Sequence, residues 1–349
     1  MNRKTLYFTA PRQVELREEP LPALGAEDVL VETLCSAISA GTEMLIYRGQ
    51  FPKETDAVDS ISSGLQYPTP YGYASVGQVK EIGKSVNREW RDRLVFSFQP
   101  HTSHFTSLPS SLIPLPLDLS PESACFLPNM ETAVNLVQDA APILGERVLV
   151  LGQGIVGLLV TALLQEFPLE TLVTSDCYSL RREASLAIGV TASLDSDAPD
   201  FCDIALSHCR KLVPHREIES LPQRGGFDLA FELSGNPNAL NDALALTAFS
   251  GRIMIGSWYG EKRAPIDLGG AFHRSRIKLI SSQVSTIAPE LSARWDKSRR
   301  FEVAWEALKR VQPQKWITHH YSFEKACDAY QLLDQNPQDA IQVIFNHQT

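Results

Sequence analysis

The run Val148-Leu149-Val150-Leu151-Gly152-Gln153-Gly154-Ile155-Val156-Gly157 enters G-x-G-x-x-G from an apolar stretch and leaves it through another, Leu158-Leu159-Val160. Few folds accommodate that pattern. Four apolar residues predict a buried parallel strand, the glycines a tight turn, and the following residues a helix. Gly152 permits the turn, Gly154 lets the backbone approach a pyrophosphate, and Gly157 lets helix and strand pack closely. Ile155 and Val156 open the helix, whose first-turn N–H groups and positive dipole end suit phosphate. Thr171-Leu172-Val173-Thr174 reads as the next strand, and Asp176 stands at its end, 24 positions after Gly152. An acid at that spacing binds the adenosine ribose hydroxyls. The motif therefore predicts a dinucleotide site rather than a glycine turn without a ligand.

Asp176 also bears on which dinucleotide binds. A carboxylate accepts hydrogen bonds from a 2′-hydroxyl and repels a 2′-phosphate, which favours NAD(H) over NADP(H). Arg181 and Arg182 follow closely. They are open to two readings: contacts to the cofactor, for which Arg181 is the candidate, or solvated helix charges.

With 349 residues, two domains are expected. Net charge is −9 and the basic residues are dispersed, which excludes a nucleic-acid surface. The densest basic patch, Arg294, Lys297, Arg299 and Arg300, reads as a solvated helix face. No apolar run approaches membrane-spanning length, and the N-terminus enters strand-like sequence without an apolar signal core, so a cytoplasmic chain without a membrane partner is expected. The cysteines, Cys35, Cys125, Cys177, Cys202, Cys209 and Cys327, include no C-x-x-C pair and no four-thiolate zinc set; they read as small buried hydrophobes.

Residues 1–118 are rich in strand signals, among them 28–34, 74–82 and 94–98, punctuated by proline and glycine. Residues 121–139 read as helical with an interruption at Pro128-Asn129. Strands at 147–151, 171–175, 227–233, 252–256 and 278–281 then alternate with helices, one of them over 239–248. That alternation predicts βαβ units and a parallel sheet. A helix over 299–310 and a strand over 340–345 end the chain.

Several segments together resemble the medium-chain dehydrogenase/reductase superfamily over nearly the full length. Ala40-Gly41-Thr42-Glu43 followed by Tyr47-Arg48-Gly49 is similar to its C-G-T-D…G segment, and Pro70-Tyr71-Gly72-Tyr73-Ala74-Ser75-Val76-Gly77 to P-x-x-G-H-E-x-x-G. Arg91-Asp92-Arg93-Leu94-Val95 stands for G-D-R-V, Asn129-Met130-Glu131-Thr132-Ala133 for C-G-x-x-T, and Phe227 to Gly235 for a D-x-x-x-x-x-x-G strand. Within the superfamily, residues 39–43, 272–276 and 281–284 look closest to the bacteriochlorophyllide a dehydrogenase-like branch. The resemblance implies an α/β fold: a GroES-like β-barrel catalytic domain, residues 1–125 completed by 286–349, and a Rossmann doubly wound parallel sheet over 126–285. It implies a homodimer as well.

The family's catalytic zinc ligands map onto Ala40, Tyr73, Ala74 and Pro128, none of which offers a thiolate, imidazole or carboxylate. The expectation is a zinc-independent member with no metal site. The cofactor carries the hydride, and the protein must orient the reactants and handle the proton. The resemblance places Thr42, Tyr73, Phe98, Asn129, Glu131 and Thr132 at a cleft. Tyr73 is read as a phenol donor to substrate or as packing, and Thr42 as a proton relay or a backbone cap. Glu131 is an acid/base or a helix-end charge; His101 is an acid/base or a loop residue. Glu43 is read as structural. Further cofactor contacts are expected at Thr132, Ser234, Gly235, Gly256, Ser257 and Gln283.

The resulting expectation is an NAD(H)-dependent oxidoreductase interconverting a secondary alcohol and a ketone on a small-molecule substrate. One rival is an NADPH-dependent quinone or enoyl reductase of the same fold. The other is a dinucleotide-binding sensor without turnover.

Overall fold

In the computed structural model, which describes residues 2–51, 65–209 and 225–347, six parallel strands form the sheet that carries the glycine motif. Their order is Ala192–Asp195, Thr171–Asp176, Arg147–Leu151, Phe227–Glu232, Thr247–Ile255 and Lys278–Ser281. The chain starts at the centre of this sheet, winds to one edge and then to the other. The direction switches between Arg147–Leu151 and Phe227–Glu232, and ligands of such sheets bind beyond the carboxyl ends of the strands at that switch. Val148, Leu149 and Val150 are fully buried, because helices cover both faces and no alternation with polar residues is needed.

This sheet belongs to one of two compact units, Asn129–Val303; the other comprises Met1–Pro128 and Ala304–Thr349. Residues 286–303, which the sequence reading assigns to the completion of the first domain, fall in the sheet-bearing unit. The physical tie is Arg300, whose guanidinium donates to the Thr286 carbonyl (3.0 Å) and to Glu131 (2.8 Å).

In the first unit, Ile317–Ser322, Gln342–Asn346, Val29–Ala37, Ser75–Ile82, Leu94–Ser97 and Ile113–Pro114 hydrogen-bond in that order, and His104–Ser107 pairs with Val29–Ala37 as well. The C-terminal strand completes the sheet by pairing Ile344 with Ala37. A second sheet, Gln13–Pro20, Asn2–Ala10 and Thr69–Pro70, is stitched to the first through a Thr5–Thr102 bridge. Leu6, Phe8, Ile46, Tyr330 and Phe345 fill the space beneath and are fully buried. Each buried side chain of that size contributes about 1.5–3 kcal/mol. The α/β class, with a doubly wound sheet and a separate β-rich unit, is as the sequence predicts.

Two boundaries differ. The helical stretch after 120 breaks at Cys125-Phe126, giving Pro121–Ala124 and Leu127–Ala140. Pro128 lies in the first turn of the longer helix, where its missing N–H has no intrahelical partner to lose. The helix Ala239–Leu246 stops before Thr247, whose hydroxyl donates to the Ala243 carbonyl (2.7 Å) while its backbone turns extended and begins the strand Thr247–Ile255. No helix among the described residues is long and apolar enough to cross a membrane.

Candidate functional site

In the sheet-bearing unit the glycines are required by close approaches. A Cβ on Gly157 would stand 2.0 Å from the Gly152 carbonyl oxygen, and one on Gly152, at φ 92°, would stand 2.5 Å from the Ser234 Cα. At Gly154 the nearest atom is the Arg181 guanidinium at 4.0 Å, so the turn is open on that side. Gly154 is also the N-cap of the helix Ile155–Leu164, and no side chain caps it. The first-turn N–H groups around Ile155 and Val156 are thus left for an anion. The cradle fits a dinucleotide pyrophosphate.

Asp176 closes the next strand. One carboxylate oxygen accepts the Gln153 N–H (2.7 Å) and the other the Tyr178 N–H (2.9 Å). The side chain is therefore fixed at the lip of the glycine turn. Arg181 comes within 3.8 Å of it and lies over the Tyr178 ring at 4.8 Å. Arg182 donates to the Asp176 carbonyl and pairs with Asp195 (3.1 Å).

Ser234 abuts Gly152, and a fully buried Glu232 pins it: the carboxylate accepts the Ser234 N–H (2.9 Å) and the hydroxyls of Ser234 and Tyr259. Burial and the Glu232 charge push the Tyr259 phenol up. Ser257 accepts the Gly235 N–H (2.9 Å), and the Gly256 N–H donates to the Glu232 carbonyl (3.1 Å). The structure thus gathers Gly152, Ser234, Gly235, Gly256 and Ser257 at the carboxyl ends of adjoining strands. Glu232 and Tyr259 organise them and escape a reading by motif, since neither is a ligand-contact type at that position. Gln283 is exposed, and its side chain accepts the Ser285 N–H.

Glu131 is not placed as a free acid/base. Arg300, itself fully buried, donates to it from two nitrogens (2.8 and 3.1 Å). The same guanidinium donates to Asn135 and to the carbonyls of Val284 and Thr286. Removing either charge of such a pair costs about 3–5 kcal/mol. Arg300 also departs from the solvated face expected of its basic patch. It shares a helix face with Ala304, Ala307, Leu308 and Val311, all buried, whereas Arg299 is exposed and lies over Trp295 at 4.1 Å. That i, i+4, i+7, i+8 spacing is the signal that marks Arg300 as inward. Thr132, on the helix Leu127–Ala140 beside Glu131, is half-buried.

In the first unit, Thr42 and Tyr73 come together. The Tyr73 hydroxyl lies 3.3 Å from the Thr42 hydroxyl and donates to Ser39. Ser39 is a third hydroxyl that the motifs did not single out; its place one turn ahead of Glu43 is the available cue. Burial pushes the Tyr73 phenol up, opposed by its bonds to Ser39 and Thr42. Phe98 is exposed and packs edge-on against Phe96, and Asn129 is buried. His101 is not placed to meet a bound molecule: it is fully buried, with one ring nitrogen 2.7 Å from the Ser36 hydroxyl and the other 3.1 Å from Glu43. Glu43 is structural as expected, accepting the Ser39 N–H (2.8 Å).

The zinc-ligand positions of the resembling family carry two methyl groups, a phenol and a pyrrolidine ring, at Ala40, Ala74, Tyr73 and Pro128. Among the described residues, no three His, Cys, Asp or Glu side chains are grouped to hold a metal ion. This donor set does not fit zinc.

No family model matches the chain. D-guloside 3-dehydrogenase of Escherichia coli K12 is 25% identical over 97% of this chain and 99% of its own length. An alcohol dehydrogenase from E. coli CFT073, solved with NADH, superposes with a TM-score of 0.76 at 17% identity, covering 99% of both chains. L-Idonate 5-dehydrogenase of E. coli K-12 gives 0.77 at 16% identity, over 99% and 98%. The fold is that of the medium-chain alcohol dehydrogenases.

Proposed function

We propose that this chain interconverts a secondary alcohol and a ketone on a small polyhydroxylated or similarly polar substrate, without a catalytic metal. It is an NAD(P)-dependent oxidoreductase. The observation that carries this reading is the glycine turn with the Asp176 carboxylate bonded to its Gln153 N–H, which sets a ribose acceptor beside an open phosphate cradle. The relatives named above as dehydrogenases of a guloside and of idonate support a sugar-like alcohol as substrate.

The nicotinamide, when bound, supplies or accepts the hydride. The chain's own residues hold the dinucleotide and handle the proton. Asp176 accepts from the ribose hydroxyls, and the first turn of Ile155–Leu164 receives the pyrophosphate. During reduction Tyr73 gives the proton it shares with Ser39 to the carbonyl oxygen, and the phenolate left accepts from the Ser39 and Thr42 hydroxyls until it is reprotonated from solvent; oxidation runs the same steps in reverse. The raised proton affinity of Tyr73 keeps the phenol neutral at neutral pH, as a donor must be. Thr42 and Ser39 hold the phenol oxygen in place. Neither Glu131 nor His101 is assigned the proton.

Asp176 favours NAD(H), while Arg181 beside Gly154 is the group that would meet a 2′-phosphate. Paired NADH and NADPH titrations of the purified protein, with metal content determined on the same sample, test the reading. Tighter NADH binding with zinc far below one per chain is expected. Stoichiometric zinc defeats the metal-free mechanism, and preferred NADPH defeats the role given to Asp176 and favours the enoyl or quinone reductase. Binding of either dinucleotide without turnover defeats the oxidoreductase reading, provided the panel spans sugar-derived ketones, amino ketones and tetrapyrrole alcohols.

A further inference from the structure

The first unit contains a buried polar chain that the proposed chemistry leaves unused. Glu43 and His101 are both fully buried. Glu43 collects donors from the Ser39 backbone (2.8 Å), from His101 (3.1 Å) and from the Tyr330 hydroxyl. On its other side, His101 meets the Ser36 hydroxyl (2.7 Å), which in turn meets His347 (2.9 Å). With Glu43 as a carboxylate and the ring in its neutral form, the Nε2–H of His101 points to Glu43 and Nδ1 accepts from Ser36. Every group from His347 to Glu43 then has a consistent donor and acceptor role.

His101 touches both segments that supply the hydroxyl cluster. Its backbone N–H donates to the Tyr71 carbonyl (3.1 Å). Its ring lies against Gly72, where a Cβ would stand 2.6 Å from Cδ2 and 2.8 Å from Nε2. Gly72, at φ 119°, is the residue before Tyr73. Through Nε2 the ring reaches Glu43, the residue after Thr42, and Glu43 fixes Ser39 by its N–H. One imidazole therefore links the 39–43 turn to the 71–73 segment, and the hydroxyls of Ser39, Thr42 and Tyr73 meet where those segments meet.

We infer that His101 is a positioning residue: its bond to Glu43 and its contact with Gly72 set the Tyr73 hydroxyl against Ser39 and Thr42. The importance of that setting rests on the proposed role of Tyr73. The geometric claim does not, and it is tested without a substrate.

Full-length protein carrying 13Cζ-labelled tyrosine serves as the sample, with the Tyr73 resonance assigned through Tyr73→Phe. Spectra are recorded well below the melting temperature, so that a loss of overall stability alone leaves the resonance in place. His101→Leu is expected to move the Tyr73 resonance by more than its linewidth, and His101→Gln, which keeps an N–H donor for Glu43, to return it toward the wild-type position. An unmoved resonance in His101→Leu overturns the inference, as does a Gln variant that behaves like Leu. Should His101→Leu fail to fold, Glu43→Gln carries the same expectation, and an unmoved Tyr73 resonance in it overturns the inference equally. NADH titration of the wild-type sample reads the cofactor site separately: failure to bind would sink the proposed function and leave the Tyr73 result standing.

Discussion

The two units present their candidate chemistry in different ways. In the sheet-bearing unit the cradle is made of backbone: two glycines that admit no Cβ, an uncapped helix start, and strand ends held by Glu232. In the first unit the candidate is made of side chains, three hydroxyls drawn from segments more than 30 residues apart and held from beneath by a histidine and a glutamate. A backbone cradle is written locally, because the glycine that a turn needs must stand in the turn. A side-chain cluster is written in tertiary contacts. It follows that the first kind should be sensitive to steric change and the second to loss of single hydrogen-bonding atoms.

The severest test of that contrast is Gly157→Ala. The added methyl carbon meets the Gly152 carbonyl at 2.0 Å, so either the turn opens or the helix moves off the strand. Overpacking of this kind costs about 3 kcal/mol or more. Loss of measurable NADH binding by fluorescence is expected, with a lowered melting temperature. Near-normal binding would show that the turn is adaptable and that the backbone does not define the cradle.

Tyr73→Phe should act on rate alone. It removes one oxygen and leaves the ring, so stability and NADH affinity should stay close to wild type. Turnover of a carbonyl found in the substrate panel should fall about a hundredfold, at the lower end of what a positioned proton donor supplies. Equal kcat in both proteins would return Tyr73 to a packing role. A smaller effect is expected at Asp176. Asp176→Asn keeps an acceptor but removes the charge, so NADH affinity should weaken about tenfold, or ~1.4 kcal/mol, while NADPH affinity changes less. Equal losses for the two dinucleotides would mean that Asp176 supports the turn through Gln153 without reading the ribose.

The same contrast explains what could be read before the structure. The glycine turn and Asp176 were legible as local pattern, and so was the alternation that builds the doubly wound sheet, whereas Ser234 and Gly235 came with the family resemblance. Thr42 and Tyr73 were reached only through family resemblance, and Ser39 was not reached, because its partner Tyr73 lies 34 residues away. Glu131 and His101 carried the right chemistry for acid/base work, yet nothing nearby in sequence announced Arg300, 169 residues from Glu131, or the burial of the imidazole beside Glu43. The Arg300 case is instructive: a basic cluster looked solvated as a cluster, while the helical period singled out one of its members as buried.

Two buried histidines of the first unit sharpen the comparison further, because His101 faces a buried acid and His347 faces a hydroxyl. His101 faces Glu43, whereas His347 faces Ser36 and the ring of Phe323, and its Nδ1 is buried without a partner among the described residues. Burial, then repulsion from His101 and from His104, holds the His347 imidazole well below its ordinary value of 6.5. In the unfolded chain the same ring titrates near that ordinary value. As pH falls through about 6.5, the unfolded state takes up a proton that the folded state refuses, so stability is full above that pH and declines below it. The slope for one such proton is at most about 1.4 kcal/mol per pH unit. Melting temperatures measured between pH 7.5 and 5.5 should fall toward the acid end, and the fall should be shallower in His347→Gln, which keeps a donor for Ser36 but cannot titrate. Parallel curves for the two proteins would mean that the acid sensitivity arises at groups other than His347.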